Sequence, residues 1–131
     1  MEIKEIMIGD LVFAKPSMLP IRLEAVHKKK VGYHVVTHKL NWVRTGLIVP
    51  IPITDEILKK NGFVLKRDEL FEWYVCGDVS IEYTADARHN DAYWEFGCGN
   101  KDCDVSLIVM HYVHELQHAL KLCKIDKEIE L

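Results

Sequence analysis

Turn signals divide the first fifty residues into short apolar segments, and this pattern limits the fold more than any other feature. The turn signals Gly9-Asp10, Gly32 and Thr45-Gly46 precede apolar runs at 11–14, 33–36 and 47–49, and residues 21–26 alternate between apolar and polar. Short runs of period two bounded by glycine are typical of β-strands. We therefore predict a β-rich N-terminal half, built as a small bent sheet or as an SH3-like barrel.

A short helix should follow this half. Pro50 and Pro52 end strand pairing, because proline has no backbone N–H to donate. Thr54 is a good N-cap, and the acidic residues after it suit the first turn of a helix. Gly62 supplies a left-handed stop. The sequence thus predicts a helix at about 55–61.

The rest of the chain returns to strands and closes on a second helix. Apolar segments at 79–83, 92–96 and 105–109 are joined by short turns, which predicts an antiparallel meander. A C-terminal helix is predicted at about 111–123, where the sequence has no glycine or proline. Residues 125–131 fit either a final edge strand or a loose tail.

The size and composition fit one α+β domain over residues 1–131. A chain of 131 residues can bury a core without disulfides or metals. The N-terminus lacks the pattern of a signal peptide, and the longest apolar runs fall far short of the ~20 residues that cross a bilayer. We expect a cytoplasmic protein that does not associate with membranes.

Four cysteines are present, and we expect reduced thiols because the chain lacks a secretion signal. Cys98 and Cys103 flank a turn and could lie on neighbouring strands. A cross-strand disulfide between them is one alternative, and half of a metal site is another. Their spacing differs from the Cys-x2-Cys of a zinc knuckle.

The string His114-Glu115-Leu116-Gln117-His118 is the sharpest motif in the chain. Two histidines four apart on a helix point the same way and can both bind one zinc ion, while the glutamate between them can act as general base. The motif therefore permits a small zinc-dependent hydrolase, with His114 and His118 as ligands and Glu115 as base. His111 could join the two histidines in a metal-binding or pH-sensitive site without catalysis.

The surroundings of this string favour a structural interpretation. A catalytic zinc needs a third protein ligand, and the only carboxylates that follow closely are in the weakly patterned C-terminal segment. On a helical wheel His114, His118 and Lys121 lie together, away from a core stripe. This stripe contains Tyr112, Leu116, Ala119, Leu120 and Cys123. We therefore expect solvent-facing histidines, no catalytic residue, no resident metal and no cofactor.

Charge is distributed unevenly along the chain. Residues 1–50 carry eight Lys or Arg against four Asp or Glu, whereas residues 51–131 carry nine against sixteen. The aromatic residues Tyr33 and Trp42 lie among basic residues of this first part, so a weak nucleic-acid-binding module in residues 1–50 is an alternative function. Their basic neighbours in the sequence are His34, His38, Lys39 and Arg44. Lys28-Lys29-Lys30 reads more simply as a solvated hairpin tip, and we do not expect nucleic acid to be the main partner.

Two segments carry a resemblance to a known group of proteins. Residues 50–63, PIPITDEILKKNGF, and residues 112–117, YVHELQ, resemble small uncharacterised proteins of Bacteroides-type bacteria and their phages, and the IGDLV opening is similar too. In that family the position of His118 is typically Asn, and that of Glu115 is often Gln. The resemblance implies a phage or mobile-element origin and a shared fold, and it brings no known activity.

These observations lead to one functional expectation. We expect a small non-enzymatic binding or accessory protein that acts through protein contacts, with an unknown protein partner or as a homo-oligomer. The zinc-dependent hydrolase and the nucleic-acid-binding module remain the alternatives.

Overall fold

The structure is a computed structural model, and it describes residues 1, 5–34, 40–86, 91–99 and 104–131. Contacts between α-carbons group the chain into two compact units, Met1–Ile51 and Pro52–Leu131. The prediction of one domain stays a prediction. Within the described residues, no helix is long and apolar enough to cross a membrane.

The N-terminal unit consists of short antiparallel strands in two three-stranded sheets. The strand order is β2-β1-β6 in one sheet and β3-β4-β5 in the other. The strands are β1 (Leu11–Ala14), β2 (Leu19–Arg22), β3 (Ala25–His27), β4 (Lys30–Tyr33), β5 (Asn41–Arg44) and β6 (Ile48–Pro50). This confirms the β-rich N-terminal half. Of the two architectures predicted, the structure shows sheets, and its described residues form no closed barrel.

The core of this unit comes from alternate positions of its strands. Val12 and Ala14 of β1 are buried, and both lie in the cluster that includes Ile21 of β2, Val31 of β4 and Ile48 of β6. Because successive strand residues point to opposite faces, Val12 and Ala14 point to the same face of β1, towards this cluster.

The C-terminal unit is a five-stranded antiparallel sheet with two helices. Its strand order, β11-β10-β9-β8-β7, is the predicted meander. Its elements are α1 (Asp55–Lys60), β7 (Val64–Arg67), β8 (Glu72–Cys76), β9 (Val79–Asp86), β10 (Asp91–Gly99), β11 (Asp104–Met110) and α2 (Val113–Leu122). Both helices lie within the predicted ranges, so the α+β class is confirmed.

The ends of α1 form as the sequence predicts. The Thr54 side chain accepts a hydrogen bond from the Ile57 N–H at 3.2 Å, which caps the first turn. Gly62 has a φ of +84°, and the Phe63 N–H donates to the Leu58 carbonyl at 3.0 Å. This pairing across the left-handed residue is the Schellman motif that ends helices. It also directs Phe63, which is 2% exposed, into the core.

The C-terminal segment is neither an edge strand nor a loose tail. Ile129 is fully buried, and the Asn61 side chain holds the neighbouring backbone. Asn61 Nδ2 donates to the Glu130 carbonyl at 2.7 Å, and the Glu130 N–H donates to Asn61 Oδ1 at 2.8 Å. A third bond joins Nδ2 to the Ile57 carbonyl at 2.8 Å. Asn61 thus ends α1 and fixes the end of the chain at the same time.

Removal of the Asn61 amide should therefore destabilise the protein. We expect Asn61→Ala to lower the free energy of unfolding by about 1–3 kcal/mol, because a paired donor and acceptor of Glu130 lose their partners. Urea unfolding followed by circular dichroism measures this change. Glu128→Ala, at an exposed position of the same segment, is the matched control and should stay within about 0.5 kcal/mol of the wild type. Equal stability of the two variants would contradict the clamp.

Candidate functional site

Glu115 has a structural role at the start of α2 that the motif does not reveal. Its Oε1 atom accepts hydrogen bonds from the backbone N–H groups of His111 and Tyr112, each at 3.1 Å. Tyr112 is the N-cap, so Glu115 at the third helical position supplies the glutamate half of a capping box. The N-cap is not Ser or Thr, so the usual sequence signature is incomplete.

The expectation of solvent-facing histidines is wrong for His114. This residue is 6% exposed, and Gln117 on the same side of α2 is 8% exposed. The helix buries a wide arc, because polar residues join its apolar stripe in the interior. His118 is half-buried, so it faces solvent only in part, and Lys121 is exposed as expected. Tyr112, predicted in the core stripe, is 37% exposed instead.

The aromatic rings around the motif lie against one another. The His114 ring stacks on Tyr112, with 5.8 Å between centroids and 10° between planes, and it meets His118 edge-on at 5.6 Å. His111 lies 6.0 Å from Tyr112. In the part of the chain that the structure describes, no three His, Cys, Asp or Glu side chains form a group able to hold a metal. The zinc interpretation therefore stays a hypothesis without a third ligand.

Several other candidate residues fall in different places. Trp42 is 45% exposed, whereas Tyr33 packs against the core of the N-terminal unit, so the predicted aromatic pair is not presented together. His38 and Lys39 lie outside the described residues, as does Cys103. A disulfide between Cys98 and Cys103 therefore stays a prediction.

A different part of the C-terminal unit forms an open groove that the sequence did not predict. Its volume is 420 Å³. We call it the aromatic groove, and it is lined by Asp55, Leu70, Phe71, Glu72, Tyr74, Glu82, Tyr83 and Trp94. These residues come from α1, from the β7–β8 loop and from three successive strands.

Three aromatic side chains make the floor of the aromatic groove. The Trp94 ring lies 5.6 Å from Tyr74 and 5.0 Å from Tyr83. Trp94 pairs directly with Tyr83 across β9 and β10, so both side chains lie on the same face of the sheet. Tyr74 and Trp94 are buried, but Tyr83 is 52% exposed. The floor therefore begins in the core, at Tyr74 and Trp94, and reaches the surface at Tyr83, where a ligand can contact it.

The β7–β8 loop holds two apolar side chains beside this floor. Leu70 is 83% exposed and Phe71 is 56% exposed. The backbone N–H groups of both residues donate to Asp68 Oδ1, at 2.8 and 2.7 Å, and the Asp68 N–H donates to the Phe71 carbonyl at 2.9 Å. This is a closed turn stabilised by an aspartate. An ion pair between Arg67 and Glu72 at 3.1 Å joins the two strands next to it.

Asp55 and Glu72 give the aromatic groove its charge. The Tyr74 hydroxyl donates a hydrogen bond to Asp55, and Lys59 Nζ lies 3.0 Å from the same carboxylate. The bond from Tyr74, followed by that from Lys59, lowers the pKa of Asp55 below 3.8. Burial, and then the bond to Asp55, raises the pKa of Tyr74 to about 12. At neutral pH the groove thus has an ionised aspartate beside a neutral phenol.

Glu82 also lines the aromatic groove, but it contributes less to the charge of the groove than Asp55 and Glu72 do. It pairs with Trp73 and with Glu95, whereas the floor residues Tyr83 and Trp94 pair with each other at the next position along β9 and β10. Because neighbouring strand residues point to opposite faces, the Glu82 side chain lies on the face of the sheet opposite the floor.

The Tyr74–Asp55 bond predicts how stability depends on pH. The pKa of Tyr74 is raised, so its contribution is complete below about pH 10 and is lost as the pH rises towards 12. The pKa of Asp55 is lowered, so its contribution is present above about pH 3.8 and is lost as the pH falls through the folded value.

Removal of the Tyr74 hydroxyl tests the assigned bond. Tyr74→Phe should raise the pKa of Asp55, which carboxyl NMR titration measures. Tyr83→Phe, on the same floor, is the control and should leave that pKa unchanged; an equal effect of both variants would contradict the assigned bond.

Comparison with known proteins does not assign a function. No family model, no curated protein and no solved structure matches the chain. The phage or mobile-element origin implied by the resemblance stays a prediction, and function has to be argued from the residues themselves.

Proposed function

We propose that this chain is a non-enzymatic binding protein whose aromatic groove takes a segment of a partner protein. The observation that carries this proposal is the pair Leu70 and Phe71, which are 83% and 56% exposed on a fixed turn beside an aromatic floor. Exposed apolar groups gathered at one place are typical of interaction sites.

The turn that carries Leu70 and Phe71 makes binding more favourable. The three hydrogen bonds between Asp68 and the turn hold the loop in one conformation before a partner arrives. A preformed loop loses less conformational entropy on binding than a flexible one. Both side chains are mostly exposed here, so most of their burial is gained only when a partner covers them.

The composition of the aromatic groove indicates the chemistry of the partner. Tyr83 offers an exposed ring, and Asp55 and Glu72 place carboxylates beside it, each of which also faces one cation of the fold, Lys59 or Arg67. A cation over an aromatic face is attracted by the ring, and nearby carboxylates add to that attraction. The sequence of this unit is acidic as well, with nine Lys or Arg against sixteen Asp or Glu in residues 51–131. We therefore propose a basic segment that also carries apolar side chains.

The helix α2 supports this assignment over catalysis. The Glu115 carboxylate accepts two backbone hydrogen bonds at the start of the helix. His114 lies in the interior at 6% exposure. Both residues of the motif therefore have roles in the fold, and the proposed binding site uses neither of them.

Selection from a displayed library of random peptides tests the proposal. We expect the peptides that the wild type enriches to combine Arg or Lys with Leu, Phe or Trp. The enriched peptides, made synthetically, should bind the double variant Leu70→Ser/Phe71→Ser about tenfold more weakly than the wild type, a difference of about 1.4 kcal/mol. Isothermal titration calorimetry measures both affinities. Leu122→Ser, which changes a leucine that is 64% exposed on α2, is the matched control and should bind as the wild type does.

Three outcomes would contradict the proposal. Enrichment of acidic peptides would exclude the charge argument, and equal binding by Leu70→Ser/Phe71→Ser would place the site elsewhere. Self-association of the wild type that this double variant abolishes, measured by analytical ultracentrifugation, would assign the aromatic groove to a second copy of the chain.

A further inference from the structure

The β3–β4–β5 sheet of the N-terminal unit presents a row of basic side chains on one face. His27 pairs with Lys30, and Lys30 pairs with Arg44, so the three side chains lie on the same face across three strands. Strands are about 4.8 Å apart, so the row extends over about 10 Å. The next paired positions along the three strands are Val26, Val31 and Val43, whose side chains point to the opposite face, towards the core.

Trp42 is on the same face as this row. It pairs with Gly32 and is two residues from Arg44 on β5, so Trp42 and Arg44 point in one direction. The indole is 45% exposed, with Lys30 Nζ 5.0 Å from the ring centroid and the His27 ring edge-on at 6.4 Å. A large aromatic surface therefore remains in water among cations rather than in the core.

The tip of the β3–β4 hairpin adds two more cations at a cost to the fold. Lys28 and Lys29 form the loop between His27 and Lys30, and Lys28 has a φ of +49°. Glycine, asparagine and aspartate adopt this conformation more easily than lysine. Three adjacent lysines also repel one another. An unfavourable backbone conformation together with repulsion between like charges, at one exposed hairpin tip, is typical of a site retained for binding.

The basic residues of this face line an open space that can hold an anionic ligand. A cavity of 490 Å³ is lined by His27, Lys28, Lys29, Lys30 and Arg44. We infer that this face binds single-stranded nucleic acid, with phosphates on the lysines and Arg44 and a base against Trp42. Proteins that bind single strands combine a basic surface with aromatic side chains on which bases stack.

The arrangement of the aromatic and basic groups favours this ligand over an anionic membrane. A protein that inserts into a bilayer presents apolar side chains at its most exposed point. Here the hairpin tip consists of Lys28 and Lys29, and Trp42 lies back along β5 with Lys30 over its ring. The inference does not depend on the aromatic groove, because the two surfaces belong to different units and have opposite charge.

Fluorescence anisotropy with a labelled oligo(dT) strand tests the inference on the full chain. We expect binding that weakens steeply between about 50 and 200 mM salt, with a slope near −2 in log K against log salt for about three phosphate contacts. Trp42→Ala and Lys28→Ala/Lys29→Ala should each weaken binding about tenfold, and Trp42→Phe should retain most of the affinity because it keeps an aromatic face. Lys66→Ala/Lys121→Ala, which removes two exposed lysines of the C-terminal unit, is the matched control and should bind as the wild type does.

The same measurements can overturn the inference. No binding at low salt would exclude it. An equal loss of affinity in the tip variant, Lys28→Ala/Lys29→Ala, and in the control variant would also exclude it. Equal affinity for a duplex of the same length would show that Trp42 does not stack on a base. Binding to vesicles that contain phosphatidylserine, lost in the tip variant and without oligonucleotide binding, would replace nucleic acid by a membrane surface. Because all the changed residues are exposed, a melting curve for each variant confirms that it remains folded.

Discussion

The packing of α2 into the interior of the C-terminal unit is the interaction on which the rest of this unit depends. Its buried residues are Val113, His114, Leu116, Gln117, Ala119 and Leu120. Most of the helix is therefore covered, and two of the covered residues are polar. A helix this enclosed requires a well-formed first turn, because unpaired N–H groups at a buried end are costly. The Glu115 carboxylate meets that need through its bonds to His111 and Tyr112.

This constraint changes the meaning of the His-Glu-Leu-Gln-His string. The spacing that suits a zinc ligand pair also places one histidine inside the core and the other at its margin. The spacing of a glutamate that could serve as base is also the spacing of a capping residue, three positions after the N-cap. Sequence spacing alone cannot distinguish these roles, because both arise from the same helical geometry.

Local features of the fold could be predicted, and long-range ones could not. Thr54 and Gly62 define the ends of α1 through bonds to near neighbours, and the strands of the meander follow from alternation and short turns. The burial of His114 depends on which strands α2 meets. The position of residues 125–131 depends on Asn61, whose side chain bonds the backbone of Glu130, 69 residues later in the sequence. The sequence shows residue types at these positions but not their partners.

The two proposed surfaces show the same limit. Trp42 was predicted as a candidate, but its neighbours Lys30 and His27 became evident only from the register of β3, β4 and β5. The aromatic groove assembles residues of α1 with strands up to Trp94, and nothing in the spacing of Asp55, Tyr74 and Trp94 indicates that they meet. Each surface combines exposed aromatic or apolar groups with charged side chains, and the charged lining residues are acidic in the aromatic groove and basic on the N-terminal sheet. This combination supports the proposal that the chain acts by binding, with α2 as a supporting element.

The free energy of unfolding of two Glu115 variants tests this account most directly. Glutamine can also accept the capping bonds at this position, so Glu115→Gln should unfold within about 0.5 kcal/mol of the wild type. Glu115→Ala removes the acceptor and should lose about 1 kcal/mol. Chemical denaturation with all three proteins under the same conditions measures both differences. If Glu115→Ala is as stable as the wild type, the carboxylate is not needed to form α2, and the structural account of the motif is wrong.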